Sequence, residues 1–357
     1  MFEIRPTTYG GRGCFATCAI PRGTLVHIAT TPFTAVIFRD FRKEVCAYCF
    51  AYELNRTWKI RLRGTESAGL WFCSESCREQ WVNEEDPSCE LVPVLEVIEQ
   101  AVAIARRKLQ SSKAGEYDED FVHEDFSFES DAIEMLWEHV EGLVTSNSVT
   151  ANPVRNPMLK NRVLALEDIE YDSARLVAVA IVRLYLESYN TSTVPWFTWN
   201  GFFGLESHEK DLINRLPALL ESHIRVFIFL KAIMPKKLQP FVTTANVRAV
   251  LGRESANAFG IWQLPLNSES ECLGSSIFPS GSYFNHSCDP NVIKTRNGRQ
   301  MHFTTSRAVR DGEELCISYG MMLKMPVQAR QNLLQEQWYF KCGCSRCTAE
   351  LATAMSE

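Results

Sequence analysis

Ser282-Tyr283-Phe284-Asn285-His286-Ser287-Cys288-Asp289-Pro290-Asn291 places an amide, an imidazole and a thiol between an aromatic pair and a proline turn. Two further stretches follow it in order. Glu314-Leu315-Cys316-Ile317-Ser318-Tyr319 reads as a short strand that ends on a tyrosine. Phe340-Lys341-Cys342-Gly343-Cys344-Ser345-Arg346-Cys347 carries three thiols within six positions. A tyrosine at a strand end is usually a core or hydrogen-bonding residue, and a histidine in a turn is often structural. Three such stretches in sequence call for a shared explanation.

The bulk numbers set limits. At 357 residues the chain has room for one large domain or two to three small ones. Its 46% hydrophobic and 22% charged residues are ordinary for a globular protein. No apolar run approaches the roughly 18 residues that span a bilayer; the longest helix-like stretch, Leu176 to Leu186, carries Arg183. Met1-Phe2-Glu3-Ile4-Arg5 lacks the basic segment and apolar core of a signal peptide. The reading is an intracellular protein, of nucleus and/or cytoplasm, with no membrane partner. A formal charge of -6 argues against a general nucleic-acid-coating surface.

Along the chain, residues 1–44 alternate like short strands broken by glycine turns, at Gly10-Gly11-Arg12-Gly13 and Ile20-Pro21-Arg22-Gly23. Helical spacing begins at Glu90 to Leu109, with Leu91, Val94, Leu95, Ile98, Ala101 and Val102 on one face. The acidic stretch Gln110 to Ser130 reads as a solvated linker. Helices are predicted over Ala132 to Val144, Ala174 to Tyr189, His208 to Ile233 and Phe241 to Leu251. After Gly252 strands and turns return, and a last helix spans Val327 to Trp338.

Thirteen cysteines in a reducing compartment point to metal more than to disulfides. Cys46-x2-Cys49, then 23 residues, then Cys73-x3-Cys77 supplies four thiolates, the usual ligand set of a closed, structural zinc site. Cys342, Cys344 and Cys347 supply three, with no local fourth. Cys14 and Cys316 sit among apolar residues and read as small core residues.

The three motifs, in this order, resemble those of the SET-domain protein-lysine methyltransferases: an NHSCxPN segment, a tyrosine-ended strand and a cysteine-rich post-SET tail. The flanks of the first cysteine set resemble half of a MYND finger, which places the chain near the SET-and-MYND group or its short fungal-type relatives. No cysteine or histidine stands between positions 50 and 72, and position 85 is Glu, so only Cys89 remains where a last ligand of a second zinc would lie. The module looks like a degenerate, one-zinc MYND. The resemblance implies an α+β protein with a split SET β-fold and a pseudoknot-like core. Residues 1–44 would form the SET N-terminal part and 45–90 the MYND-like module. Residues 91–244 would form a helical insertion partly within SET, 245–325 the SET C-terminal core, and 326–357 the post-SET zinc tail. The chain stops ten residues after Cys347, so the helical C-terminal domain of many members is expected to be absent and the peptide groove open.

The same resemblance implies S-adenosyl-L-methionine as cofactor, two structural zinc ions, and a lysine of a protein or peptide as substrate, histones among the candidates. Cys288 would complete the tail's zinc set and fasten that tail over the active site. Tyr319 would be the catalytic residue, its hydroxyl aimed at the methyl and the target nitrogen. Gly11, Arg12, Gly13, Asn257, Ser282, Asn285, His286 and Phe340 would hold the cofactor, Phe340 against its adenine. Phe259, Tyr319 and Trp338 would line the lysine channel. The family often has Tyr where Trp338 stands; Trp keeps the aromatic wall and loses a hydroxyl, which leaves the mono-, di- or trimethyl product open. Tyr283 reads as core packing. Such a channel has a physical task, because holding a lysine neutral at pH 7 costs about 4 to 5 kcal/mol from its free pKa near 10.4. Desolvation and a neighbouring positive charge both lower that pKa. The chain is expected to act as a monomer. A non-catalytic binding module of the same group is the alternative, and a zinc-dependent DNA-binding protein is disfavoured by the acidic charge.

Overall fold

The computed structural model describes residues 1–9, 11–62, 68–111, 130–146, 166–189 and 197–354. Gly10 and most of the acidic linker, 112–129, lie outside the described residues. Three small antiparallel sheets carry the fold. Strands β1 (Phe2–Pro6) and β2 (Arg12–Ala16) form a hairpin. In the second sheet, β3 (Leu25–Ala29) joins β8 (Gln300–Thr305), which pairs with β7 (Val292–Asn297). In the third, β6 (Cys272–Ile277) lies between β4 (Thr34–Ile37) and β5 (Ala258–Trp262). Two of the three sheets therefore join strands from opposite ends of the chain, which is the split α+β fold expected above. Five of the six residues of β6 are buried, as a strand covered on both faces requires.

The intervening chain forms helices that cover this sheet. Helix α1 (Glu75–Glu85) carries Cys77, the last of the first cysteine set, in its first turn, with the Ser74 hydroxyl accepting from the Cys77 amide at 3.1 Å. Helix α2 (Leu91–Ser111) buries the predicted face of Leu91, Val94, Leu95, Ile98, Ala101 and Val102. Its start is fixed by Asp86, whose carboxylate accepts from the amides of Glu90, Leu91 and Val92 at 2.7, 2.7 and 3.0 Å. Helix α3 spans Ser130–Ser146, and α4 spans Asp168–Tyr189 and lies on β4, where the Thr34 hydroxyl donates to the Leu176 carbonyl at 2.7 Å.

Two readings of the insertion change. The single helix predicted over 208–233 is two, α6 (Glu209–Arg215) and α7 (Ala218–Ile233), after a short α5 (Trp199–Phe203). Pro217 causes the break: it lacks an amide hydrogen and forces Leu216 out of helical geometry, to φ −130, ψ 76. The next helix, α8, runs Thr244–Asn257, beginning at the Thr243 cap and continuing past Gly252. Gly252 is a contact point: a Cβ there would lie 2.6 Å from the Ser207 hydroxyl oxygen and 2.9 Å from Glu209 Cβ. Helices α9 (Val327–Trp338) and α10 (Ser345–Ala354) close the chain, α9 with the predicted limits.

Ion pairs with little access to water bolt these layers together. Glu99 on α2 receives Arg42 and, at 2.9 Å, Arg175, while Arg42 also pairs with Asp172. Glu85, at the position where a second zinc ligand was sought, pairs instead with Arg183 of α4 and Arg299 of the β7–β8 turn. Burial alone would raise its carboxyl, but the two guanidiniums outweigh that and lower it. Among the described residues no helix is long and apolar enough to cross a membrane.

The central strand has one strict requirement. A Cβ at Gly274 would lie 2.3 Å from the Val36 carbonyl oxygen, so Gly274→Ala must push β4 from β6. Urea titration should show a loss of about 3 kcal/mol, whereas Gly142→Ala, with open space around an exposed helical position, should be neutral or stabilising by up to about 1 kcal/mol. Equal effects would remove the close-approach explanation.

Candidate active site

Two backbone segments and the N-terminal hairpin build the site. Residues 285–287 lie parallel to Ile317, whose amide donates to the Asn285 carbonyl at 2.8 Å and whose carbonyl accepts from the Ser287 amide at 2.9 Å. On the other side Leu315 donates to Cys14, and Cys14 to Tyr283, at 2.8 and 3.1 Å. Asn291 completes the crossing with its side chain, accepting from the Cys316 amide and donating to the Glu314 carbonyl, both at 2.8 Å. The chain thus passes 314–319 between the hairpin and the 283–291 turn, the pseudoknot-like arrangement expected from the motifs.

This crossing brings the predicted cofactor residues into one connected set. The Asn285 amide donates to the Arg12 carbonyl at 3.0 Å, to Glu314 Oε1 at 2.8 Å and toward the Tyr9 hydroxyl at 3.2 Å. The Tyr9 hydroxyl in turn donates to Glu314 at 2.6 Å, with its ring exposed. Gly13 is explained by the same group: a Cβ would lie 2.4 Å from Glu314 Oε1 and 2.7 Å from Asn285 Nδ2. The glycine here makes room for Glu314 and Asn285, a closer constraint than the approach of a ligand. Gly11, at φ 70, needs the left-handed region that glycine adopts freely. The Arg12 guanidinium reaches the Gly204 carbonyl and lies 4.9 Å from the centre of the Tyr283 ring. Asn257 is buried, its amide donating to the carbonyls of Glu206 and Arg253 at 2.8 Å. Ser282 donates to the Asn257 carbonyl at 3.3 Å, so these two are brought together. Tyr283 is 6% exposed, as core packing predicts.

Around Tyr319 the rings converge. Its centroid lies 5.4 Å from His286, 5.5 Å from Trp338 and 6.2 Å from Phe340, with His286 and Phe340 6.1 Å apart. Burial pushes the Tyr319 phenol upward, so its hydroxyl remains a donor at neutral pH. Phe259 stands edge-on to Phe278 and Phe303, on a buried aromatic floor. Both ring nitrogens of His286 are engaged. Its Nδ1 accepts from the Tyr319 amide at 3.1 Å, which leaves the proton on Nε2, 3.3 Å from the Cys288 sulfur. Burial lowers its imidazole to about 4, so it stays neutral.

Both cysteine sets assemble. The sulfurs of Cys46, Cys49, Cys73 and Cys77 all lie within 4.8 Å of one another, as do those of Cys288, Cys342, Cys344 and Cys347. A tetrahedral zinc with Zn–S near 2.3 Å needs sulfurs about 3.8 Å apart, and Cys49–Cys73 and Cys73–Cys77 stand at 3.6 and 3.5 Å. The donor sets fit two zinc ions. Within each set one thiol is lowered by hydrogen bonds from its neighbours, Cys46 in the first and Cys344 in the second, while Cys49, Cys73, Cys288 and Cys342 are raised. Thiolates crowded this closely repel one another, and a bound metal would relieve that. The tail set has an outer shell. Buried Arg330 points at the Cys347 sulfur at 3.5 Å and pairs with Glu350 at 2.7 Å, and the Gln331 amide grips both backbone groups of Cys342 at 2.6 and 2.8 Å. Cys89 is exposed and belongs to neither set; Cys14 is buried and Cys316 half-buried.

Tyr9, Glu314, Glu206, Arg330 and Lys294 escaped the sequence reading. Glu314 stood inside a quoted motif and could have been found there. The others carry no local signal, because each meets its partner only through pairing across the fold.

Comparison with known proteins follows from this geometry. The SET domain profile matches residues 11–320. The potential protein lysine methyltransferase SET6 of Saccharomyces cerevisiae is 31% identical over 98% of this chain and 96% of that protein. The human histone-lysine N-methyltransferase SMYD3 is 39% identical over half of this chain, and a SET and MYND domain-containing protein of Dictyostelium discoideum is 38% identical over 29% of it. Those two alignments span 40% and 25% of the respective relatives.

Elemental analysis should find two zinc ions per chain. Cys288→Ser should leave one, and Cys89→Ser two. Retention of two in Cys288→Ser would break the pairing of the turn with the tail.

Proposed function

The chain belongs to the SET domain family, and from that premise we infer that it is an S-adenosylmethionine-dependent protein-lysine N-methyltransferase with Tyr319 as its catalytic residue. The observation that carries this reading is the position of Tyr319: it ends the crossed segment, ringed by His286, Trp338 and Phe340, and is tied through His286 to the turn that bears Cys288.

S-adenosylmethionine, when bound, supplies an electrophilic methyl on a positively charged sulfur. Gly11, Arg12, Gly13, Asn257, Ser282, Asn285, His286 and Phe340 form the set that would hold it, with Phe340 presenting a ring for the adenine. The task left to the channel residues is to strip water and charge from a lysine and align it. Phe259 and Trp338 supply apolar walls that disfavour the ammonium by desolvation. The protonated Tyr319 hydroxyl supplies a directed dipole where methyl and amine meet, and its backbone is held by His286, so the ring does not search for its position. Cys288, Cys342, Cys344 and Cys347 would hold a zinc ion that fastens the tail, on which Trp338 and Phe340 pack near that ring. The zinc sets have structural work and offer no open position. We extend the reading to protein substrates, histones among them, met by a monomer in the nucleus and/or cytoplasm.

Transfer of labelled methyl onto a whole lysate and onto histones, with Tyr319→Phe as the blank, tests the reading. Tyr319→Phe should lower kcat about 100-fold or more while cofactor affinity changes little, because the hydroxyl acts at the transition state. Comparable kcat in the two proteins would refute the assignment.

Trp338→Ala should weaken turnover on lysine substrates at least about tenfold, with calorimetric cofactor affinity preserved. Equal losses in turnover and affinity would make Trp338 part of the core alone.

A further inference from the structure

One cation sits among the residues assigned to the lysine channel. Lys294 on β7 extends between two of them, its Nζ donating to the Tyr319 carbonyl at 3.0 Å and lying 5.3 Å from the centre of the Phe259 ring. Among the described residues it enters no ion pair, so one neutral acceptor and one ring face are what the ammonium is given. Arg42, Arg175, Arg183 and Arg299 each meet a carboxylate, whereas Lys294, like Arg253 on the Ala249 and Phe203 carbonyls and the Phe203 ring, is held by neutral groups. What sets Lys294 apart is its place: a half-buried ammonium with no carboxylate, which is costly, stands against two residues assigned to the lysine channel.

The reason for that place follows from what must enter. A target lysine arrives in water as an ammonium and must react as a neutral amine. Two ammonium groups a few ångströms apart in a poorly screened space repel strongly, and a charged Lys294 also opposes the positive charge carried through methyl transfer. We propose that Lys294 is a specificity-determining residue of the channel, a charge gate that repels a protonated target and favours methyl transfer when it has itself lost its proton. The inference rests on the lysine-methyltransferase reading above.

Its surroundings permit such a gate. Burial lowers the Lys294 amine to about 8, with no charged group contributing. From the neighbouring turn His286 faces it and is neutral; from the crossed segment Tyr319 faces it and is protonated. Strand β5 presents Phe259 and carries no titratable group. On β8 the registered partner is Phe303, while His302 is paired with Thr295 on the opposite face. On its own strand Arg296 is occupied by the carbonyls of Gly298 and Trp262 at 2.9 and 2.8 Å.

The sign follows directly. A lysine titrating near 8 is charged in about nine molecules of ten at pH 7 and neutral in nearly all at pH 9.5. Lys294→Met keeps the length of the side chain and removes the charge; Lys294→Arg fixes the charge. The acceptor is the best-labelled protein of the lysate assay, so its own titration is common to all three enzymes and cancels in their ratios. The Met variant should exceed wild type about tenfold in kcat/KM at pH 7 and match it near pH 9.5, since only the uncharged fraction of wild type then differs. The Arg variant should stay below wild type throughout and fall further behind as pH rises. Calorimetric binding of S-adenosylhomocysteine certifies that each variant is folded, and Lys294→Gln replaces Met if the latter does not bind. A pH-independent ratio of Met to wild type, or an Arg variant that follows the wild-type profile, overturns the gate while leaving the methyltransferase in place. Absence of wild-type turnover above the Tyr319→Phe blank at every pH overturns both.

Discussion

One imidazole holds the active centre together. His286 accepts the Tyr319 amide on one nitrogen and offers its other N–H to the Cys288 sulfur. Because the Tyr319 amide occupies Nδ1, the tautomer is fixed, and the ring cannot rotate without losing a bond at each end. A thiol of the tail set and the backbone of Tyr319 are therefore coupled through a group whose burial keeps it neutral. The tail is built on the same connection. Cys288, Cys342, Cys347, Met322 and Leu334 form a small buried cluster of their own, against which Trp338 and Phe340 pack. That cluster is too small to hold a lid by burial alone. Zinc held by the four thiols would supply the remainder, with Arg330 placed at the Cys347 sulfur to balance thiolate charge.

The larger frame has the same character, being assembled from distant pieces. Strands β3 and β4 have no sheet without β8 and β6, which come more than two hundred residues later. The helical insertion therefore cannot be a passive linker. Its helix α4 lies on β4 and carries Arg175 and Arg183, which reach Glu99 on α2 and Glu85 on α1. The position at which the resemblance to a MYND finger leads one to look for a second zinc ligand has a structural use here. Where a ligand would have been, Glu85 joins the finger's helix to α4 and to the β7–β8 turn by charge. Removing one partner of such a pair would leave a buried charge uncompensated, which costs far more than the pair itself contributes.

Some of this was legible in the residues. Four thiols at Cys46, Cys49, Cys73 and Cys77 have ligand spacing, and their sulfurs do converge. Apolar spacing located the buried face of α2, since a helix places positions three and four apart on one side whatever surrounds it; the buried residues of α9, Arg330, Gln331 and Leu334, show no such stripe. Periodicity failed at 208–233 and at Gly252 for opposite reasons. Pro217 breaks a helix that the apolar pattern ran straight through, and Gly252, read as a break, lies inside a helix because it is needed for close packing on Ser207 and Glu209.

The sequence by itself determined the chemistry available: thiolates for two metal sites, a tyrosine behind a strand, rings for a channel, and an order of motifs that resembles one family. Those properties reside in residue type and local spacing, which no neighbour can alter. Tertiary structure decided which groups meet. That Gly13 yields its space to Glu314, that His286 ties Tyr319 to Cys288, and that Lys294 enters between Phe259 and Tyr319 all depend on strand register and on one segment passing between two others. Contacts of that kind join residues far apart in the chain, and a sequence records no distance between them.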